Sequence, residues 1–468
     1  MKFRPFLLTS QALLLTLFCF VPLLLCSPSA VHAQWEPDRR LTFEDTSSGT
    51  AYNNAWCVAA TGDTVHVVWS HRWNGTEIYY RRSLDSGVSW GPETRLTNAQ
   101  GSSSCPSVAV SGSYVHLTWS DFRDGEEEIY YKRSTDGGSS WEPDLRLTYS
   151  PGLSEWSSMA VSGSDVHVVW WDNRSGGTAI YYIRSTDSGV QWFPDTCLSQ
   201  ASDDSWASVS ASGTTVHVVW DERPGVVYYK RSSDRGTSWS PKIQLSSQTA
   251  MAPCIASSDS LVHVTWEGPS GGVHRIFYKR STDGGVTWTQ DTLLPSGSWS
   301  LLPSICVSGK AVHVAWWDLG DEIYYNHSTD AGVSWQTFYT QLTNDPGRSE
   351  YSSVAASDSA VHVVWMDDRD GNWQVYYKRN PTGNLGVEEI QSLRLTPHAS
   401  RLTAFPNPFA SYTTVPGHEA ERFCLYDISG RKVGTYKGDR VGEGLSPGVY
   451  FLRPEGKNAK PLRIVKVR

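Results

Sequence analysis

Ser134-Thr135-Asp136-Gly137-Gly138-Ser139-Ser140-Trp141 is the stretch on which the reading of the fold turns. Its pattern, Ser-x-Asp-x-Gly-x-x-Trp, occurs six times, with aspartates at Asp85, Asp136, Asp187, Asp234, Asp283 and Asp330, spaced 47 to 51 residues apart. A repeat period of this length marks a β-propeller in which each unit is one blade. The motif also has a local logic. Short Ser and Asp side chains accept hydrogen bonds from the backbone of their own turn. Gly supplies a positive φ that strains other residues. The Trp folds back as an apolar plug between neighbouring units.

A second motif, Val-His-x-x-Trp, recurs seven times, at His66, His116, His167, His217, His263, His313 and His362. A strand such as Ser107–Gly112 precedes it. An aromatic strand such as Glu128-Ile129-Tyr130-Tyr131-Lys132-Arg133 follows, then the Asp turn and a stretch such as Trp141–Thr148. Each unit therefore reads as four short strands, A to D, with strand B carrying the histidine. The seventh unit degenerates at Asn380-Pro381-Thr382-Gly383 and lacks strand D. Trp35-Glu36-Pro37-Asp38-Arg39-Arg40-Leu41-Thr42 matches Trp141–Thr148 almost residue for residue and supplies it from the other end. Such a seam closes the ring and removes exposed edges. The expected fold is all-β: a seven-bladed propeller closed by an N-terminal strand, with a six-bladed ring as the alternative, plus a small C-terminal β-sandwich.

The repeated turn resembles the Asp box, or bacterial neuraminidase repeat, of the sialidase superfamily. That resemblance implies the fold more than an activity, because Asp boxes occur in enzymes and non-enzymes alike. Sialidases have six blades, three arginines on the substrate carboxylate, a Tyr–Glu nucleophile pair, an Asp acid/base and an Arg-Ile-Pro motif. No Arg-Ile-Pro occurs here, and no unique Tyr–Glu pair stands out from the repeated tyrosines.

The ends carry export signals. Residues 1–33 read as a signal peptide: Lys2 and Arg4, an apolar Ala12–Leu25 run, and Val31-His32-Ala33 before Gln34. Residues 34–382 form the propeller and 383–397 a linker. Residues 398–468 form a module with Pro406-Asn407-Pro408-Phe409, Leu425–Arg431, Pro447–Phe451 and a basic final strand. The module resembles the C-terminal sorting domain of type IX secretion cargo, which implies recognition by that machinery. The expected location is extracellular or on the outer cell surface, reached through the periplasm. Residues 34–385 carry 25 Lys and Arg against 40 Asp and Glu, a net of −15. That balance disfavours nucleic acid and anionic membranes as partners. The six cysteines after the leader show neither metal-knuckle nor disulfide-framework spacing. No cofactor or metal is expected.

Repeat-locked residues are read as structure first. The histidines fan out radially and cannot converge on one ion. The six Asp-box aspartates are turn formers. Strands alternate in direction, so the Asp turns mark one face, and the B–C and D–A loops share the other. This front face carries a Trp-x-Asp-x-Arg theme: Asp121 and Arg123, Asp172 and Arg174, Asp367 and Arg369, with a one-shorter Asp221 and Arg223. Unit one keeps only Arg72 and unit six only Asp318. Trp56, Trp156, Trp206, Trp299 and Tyr351 join them in the D–A loops. Aromatics beside carboxylates and guanidiniums suit a glycan or protein ligand. The same Asp–Arg pairs also suit loop-holding ion pairs, which leaves the irregular units one, five and six as the places for function. Gly268-Pro269-Ser270-Gly271-Gly272 matches G-x-S-x-G formally but has no following helix, and reads as a flexible Gly-rich loop.

Overall fold

The computed structural model describes residues 35–43, 46–51, 56–71, 76–200, 203–223, 225–297, 299–383, 411–415, 421–427, 431–455 and 462–466. The expected leader, most of the expected linker, Arg72 and Pro406–Phe409 lie outside them. Two compact units divide at Asn384 and Leu385. Every regular element among the described residues is a strand.

Among the described residues of the first unit, seven antiparallel sheets follow one another, ordered A-B-C-D; in the first, two short strands, Ser48–Gly49 and Val58–Thr61, both pair with strand B. The second is typical: Ser103–Ser111, Tyr114–Asp121, Glu128–Ser134 and Leu145–Arg146. Each strand A packs beside strand A of the next sheet, and the last packs beside the first. In the seventh sheet, strand D is Arg39–Arg40, with Arg39 opposite Tyr377 and Arg40 opposite Tyr376. The seam expected from the sequence is therefore present.

Strand B is buried along nearly its whole length, as in Thr64–His71. Lying between A and C and covered on both faces, it reads as a continuous Val-rich run rather than an alternating one. Its histidine is neutral core. In all seven sheets Nδ1 meets a strand C tyrosine hydroxyl at 2.7 or 2.8 Å. Burial lowers the pKa of His116, His167, His217 and His362 to about 3.

The same tyrosine receives the Asp turn of the next sheet. Tyr80 meets the Trp141 ring edge-on, with centroids 5.1 Å apart. A Cβ on Gly138 would lie 2.0 Å from the Tyr80 hydroxyl oxygen. Gly138 is thus required twice, for its φ of +80° and for its missing side chain. At the seam Trp35 takes the motif tryptophan's place, 4.9 Å from Tyr325. Inside the turn Ser134 donates to Asp136, and Asp136 accepts from the Ser140 hydroxyl and amide. The Ser140 hydroxyl is the largest of the contacts that hold the Asp136 carboxyl below the ordinary carboxylate range.

The described residues of the second unit form one sheet: Lys432–Lys437, Arg422–Asp427, Gly448–Pro454 and Leu462–Lys466, in that order. An isolated bridge joins Thr413 to Val441. Phe423, Leu425, Leu452 and Ile464 lie in its core.

Candidate functional site

The strand A segments enclose a cavity of about 200 Å³, lined by small residues such as Ala59, Ala109, Ala160 and Ala256 and by Trp56. Ligand pockets run from about 300 Å³ upward, so the axis is too narrow for an oligomeric ligand. The loops offer more. B–C and D–A loops do share a face: Phe122 N donates to Ser102 O, and Ser103 N donates to Thr76 O of the preceding sheet.

Three of the Asp–Arg pairs form one construction. Arg123 clamps Asp121 through Nε at 2.8 Å and Nη2 at 2.6 Å. Its third nitrogen reaches Asp144 of strand D at 2.8 Å, and its plane lies 4.3 Å over Tyr130. Asp121 also accepts from Ser103 and Trp119. Arg174 repeats this with Asp172, Asp195 and Tyr181. Arg369 repeats it with Asp367, Asp38 and Tyr376. Burial opposes ionisation of Asp121, but the Arg123, Trp119 and Ser103 donors outweigh it and the pKa falls. Arg123 and Arg174 are each committed to two carboxylates and a ring, and Arg369, which also meets Asp345, to three and a ring. The pairs latch strand D to the B–C loop.

The fourth sheet differs from the sequence reading. Glu222, not Asp221, lies opposite Asp204, as Asp121 lies opposite Ser103. Lys242 of strand D pairs with Glu222 at 2.5 Å and lies 4.1 Å over Tyr228. The latch is kept with its charges exchanged between loop and strand, and Arg223 stands outside it, exposed. In the sixth sheet no arginine follows Asp318. Tyr339 fills the space instead, packing on Trp316 and Tyr324 at 5.9 and 5.3 Å. Asp318 has its pKa raised, by burial above all.

A displaced position carries the asymmetry. The residue after the strand B tryptophan is Ser120, Trp171, Asp221, Glu267, Trp317 or Met366 in sheets two to seven. It faces a β-bulge in strand A of the next sheet. Ser120 accepts from Trp156 N at 3.1 Å, and Glu267 accepts from Leu302 N at 2.7 Å. Trp156, Ala252, Leu302 and Tyr351 take positive φ at these bulges, which re-aim side chains at the end of a strand. Two neighbouring sheets therefore hold buried carboxyls at this position, Asp221 and Glu267. Burial raises both to about 7. Asp221 Oδ1 is buried with no hydrogen-bond partner. Glu155, near Trp156, is raised as well, by burial and then by its hydrogen bond to Glu127. Sequence spacing names Asp221 only as the partner of Arg223 and passes over Glu155 and Glu267; Asp221 and Glu267 share one position. Their signal was present as a polar residue where other units have Trp or Met.

The remaining aromatics pair around the same face. Trp156 lies 5.6 Å from Trp171, and Trp317 stacks on Tyr351 at 6.2 Å. Trp206 is half-buried on the fourth strand A. The Gly268–Gly272 segment is not a flexible loop. Strands Leu261–Ser270 and Val273–Ser281 extend through it and pair Ser270 with Val273. Gly271 and Gly272 take φ of 64° and 84°, the two positive values of a type I′ hairpin turn. Among the described residues no cluster of three or more His, Cys, Asp or Glu is placed to hold a metal ion.

Neither family models nor curated proteins match the chain. Solved structures do. A polysaccharide lyase of the ulvan lyase type is 12% identical with a TM-score of 0.51, covering 76% of this chain and 99% of its own. The NanB sialidase of Streptococcus pneumoniae is 13% identical, with 76% and 71% covered and a TM-score of 0.42. The intramolecular trans-sialidase of Ruminococcus gnavus is 14% identical, with 74% and 98% covered and a TM-score of 0.43. The first unit has a β-propeller fold. At these identities the likeness is one of fold.

Proposed function

We propose that this chain is a secreted or cell-surface, seven-bladed sialidase-like propeller that binds glycan or protein through its front loops without catalysis. The observation that carries this reading is the commitment of Arg123, Arg174 and Arg369 to internal carboxylates. Of the front-face arginines Arg72, Arg123, Arg174, Arg223 and Arg369, three are so committed, and the other two do not make up a triad for a sialic acid carboxylate. What remains on the front face is a set of aromatics and of carboxyls outside the Asp–Arg pairs, suited to binding. The seven A–D sheets, with the N-terminal strand completing the last, support the blade number. Asp boxes in six blades, a cleaved leader at 1–33, and a C-terminal β-sandwich read by the type IX machinery complete the proposal.

A second reading is an exo-glycosidase acting on extracellular glycans. Asp221 and Glu267 favour it, since carboxyls titrating near neutrality suit general acid–base chemistry. A fluorogenic sialoside and an aryl-glycoside panel separate the two. No turnover, together with binding on a glycan array, is expected. Turnover lost in Asp221→Asn or Glu267→Gln would replace the binding reading with the enzymatic one.

A further inference from the structure

Blade five breaks the repeat on the front face. Its B–C hairpin is longer than the others and is closed by Gly271 and Gly272. The extension lifts His274 above the rim. There the imidazole lies parallel to the indole of Trp299, with centroids 5.5 Å apart and planes 9° from parallel. Trp299 is 41% exposed, large for a tryptophan, and takes a φ of +70°. Its backbone is tied on both sides: Trp299 N donates to His274 O, and Leu319 N donates to Trp299 O. A strained, exposed aromatic held by the surrounding structure is a mark of function rather than of packing. Glu267 sits at the foot of the stack, with its Oε1 3.6 Å from His274 Nδ1. Asp221 lies within electrostatic reach of Glu267, and its Oδ1 is buried without a partner.

We infer that Trp299, backed by His274 and flanked by the Glu267 and Asp318 carboxyls, is a subsite for an uncharged hexose ring of a neutral glycan. This rests on the glycan reading above and narrows it. A sugar presents an apolar C–H face that lies on an indole and a rim of hydroxyls that bond to carboxyls and imidazole. The charge around the platform rejects acidic sugars. Glu267, Asp221 and Asp318 are all carboxyls. The neighbouring cation, Arg275, donates to the Ser296 carbonyl at 2.7 Å and faces Asp318. Above about pH 7, where Glu267 ionises, a uronate or sialate seated on Trp299 would meet like charge in a partly desolvated site, so the comparison of sugars is made at pH 8.

The test is calorimetric titration of the full chain with linear neutral hexose hexamers (gluco, manno and galacto series), with a galacturonate hexamer and with sialyllactose. At least one neutral hexamer should bind, and the acidic sugars at least tenfold more weakly. Trp299→Ala should weaken neutral binding tenfold or more, Trp299→Phe should restore part of it, and Val286→Ala, exposed in an Asp turn of the opposite face, should leave it within twofold. Glu267→Gln should narrow the gap between neutral and acidic sugars. Neutral binding indifferent to Trp299→Ala, or acidic sugars bound as tightly as neutral ones, overturns this inference and leaves the glycan reading standing. Failure of every oligosaccharide to bind overturns both.

Discussion

The strand C tyrosine shows how one residue can serve three neighbours at once. Tyr80 shares a hydrogen bond with His66 within its sheet, takes the edge of Trp141 from the next, and fills the space that Gly138 leaves open. The sequence made the motif plain, but not why its glycine is required, because the second reason, Tyr80, lies 58 residues upstream of Gly138. Gly138→Ala combines an unfavourable φ with a Cβ inside a ring contact and should cost about 3 kcal/mol. Gly112→Ala, at a φ of +59° with nothing within 4 Å, should cost about 1 kcal/mol. Denaturant midpoints of the two variants check this. Equal losses would show that the Tyr80 contact yields easily.

Among the elements, the B–C loop and strand D form the unit that the Asp–Arg theme holds together. Three loops were legible from spacing alone, as Trp-x-Asp-x-Arg. The fourth was not, because its compensation is non-local: Glu222 takes the aspartate's place, and Lys242 answers from twenty residues on. A pattern search confined to one loop pairs Asp221 with Arg223 and misses this exchange. The extended hairpin of blade five escaped for a related reason. Gly-Pro-Ser-Gly-Gly has a loop's composition, and only cross-strand register reveals strands through Ser270 and Val273. The latch makes a prediction that the bare motif does not. Arg123→Ala strands Asp121, 1% exposed, without its cation and should destabilise by about 3 to 5 kcal/mol. Arg223→Ala should stay within about 0.5 kcal/mol, as surface changes do. Urea unfolding of both variants decides; a large loss at Arg223 would mean that the fourth blade also depends on it.

For the whole molecule, closure and acidity are the two global properties. Trp35, Asp38 and the Arg39–Arg40 strand join the first described residues to the last sheet, where Asp38 pairs with both Arg369 and Lys378. Removing residues 1–43 opens that sheet's edge and strips Arg369 of a carboxylate. The melting temperature should fall by ten degrees or more, on the order expected for a loss of several kcal/mol; an unchanged melt would mean that the ring holds without its seam. Acidity acts through two opposed sets of buried groups. His66 and His263 are lowered to about 4, and His116, His167, His217 and His362 to about 3. Between those values and about 6.5, the ordinary imidazole pKa, the unfolded chain binds more protons than the folded one, so stability rises with pH and is fully present above that window. Asp221 and Glu267 have the opposite sign. Raised to about 7, they keep protons in the fold that the unfolded chain has released, so their contribution falls as pH rises from about 4 to about 7. Six imidazoles outweigh these two carboxyls and Glu155, which is raised as well, and net stability should climb from pH 4 to 6.5 and then level. Asp221→Asn with Glu267→Gln removes the opposing set, so the double variant should climb more steeply and be more stable than the parent at pH 8. Unfolding free energies at half-unit pH steps test both statements. A parent whose stability falls across that window would show that the acids, and not the histidines, govern the ring.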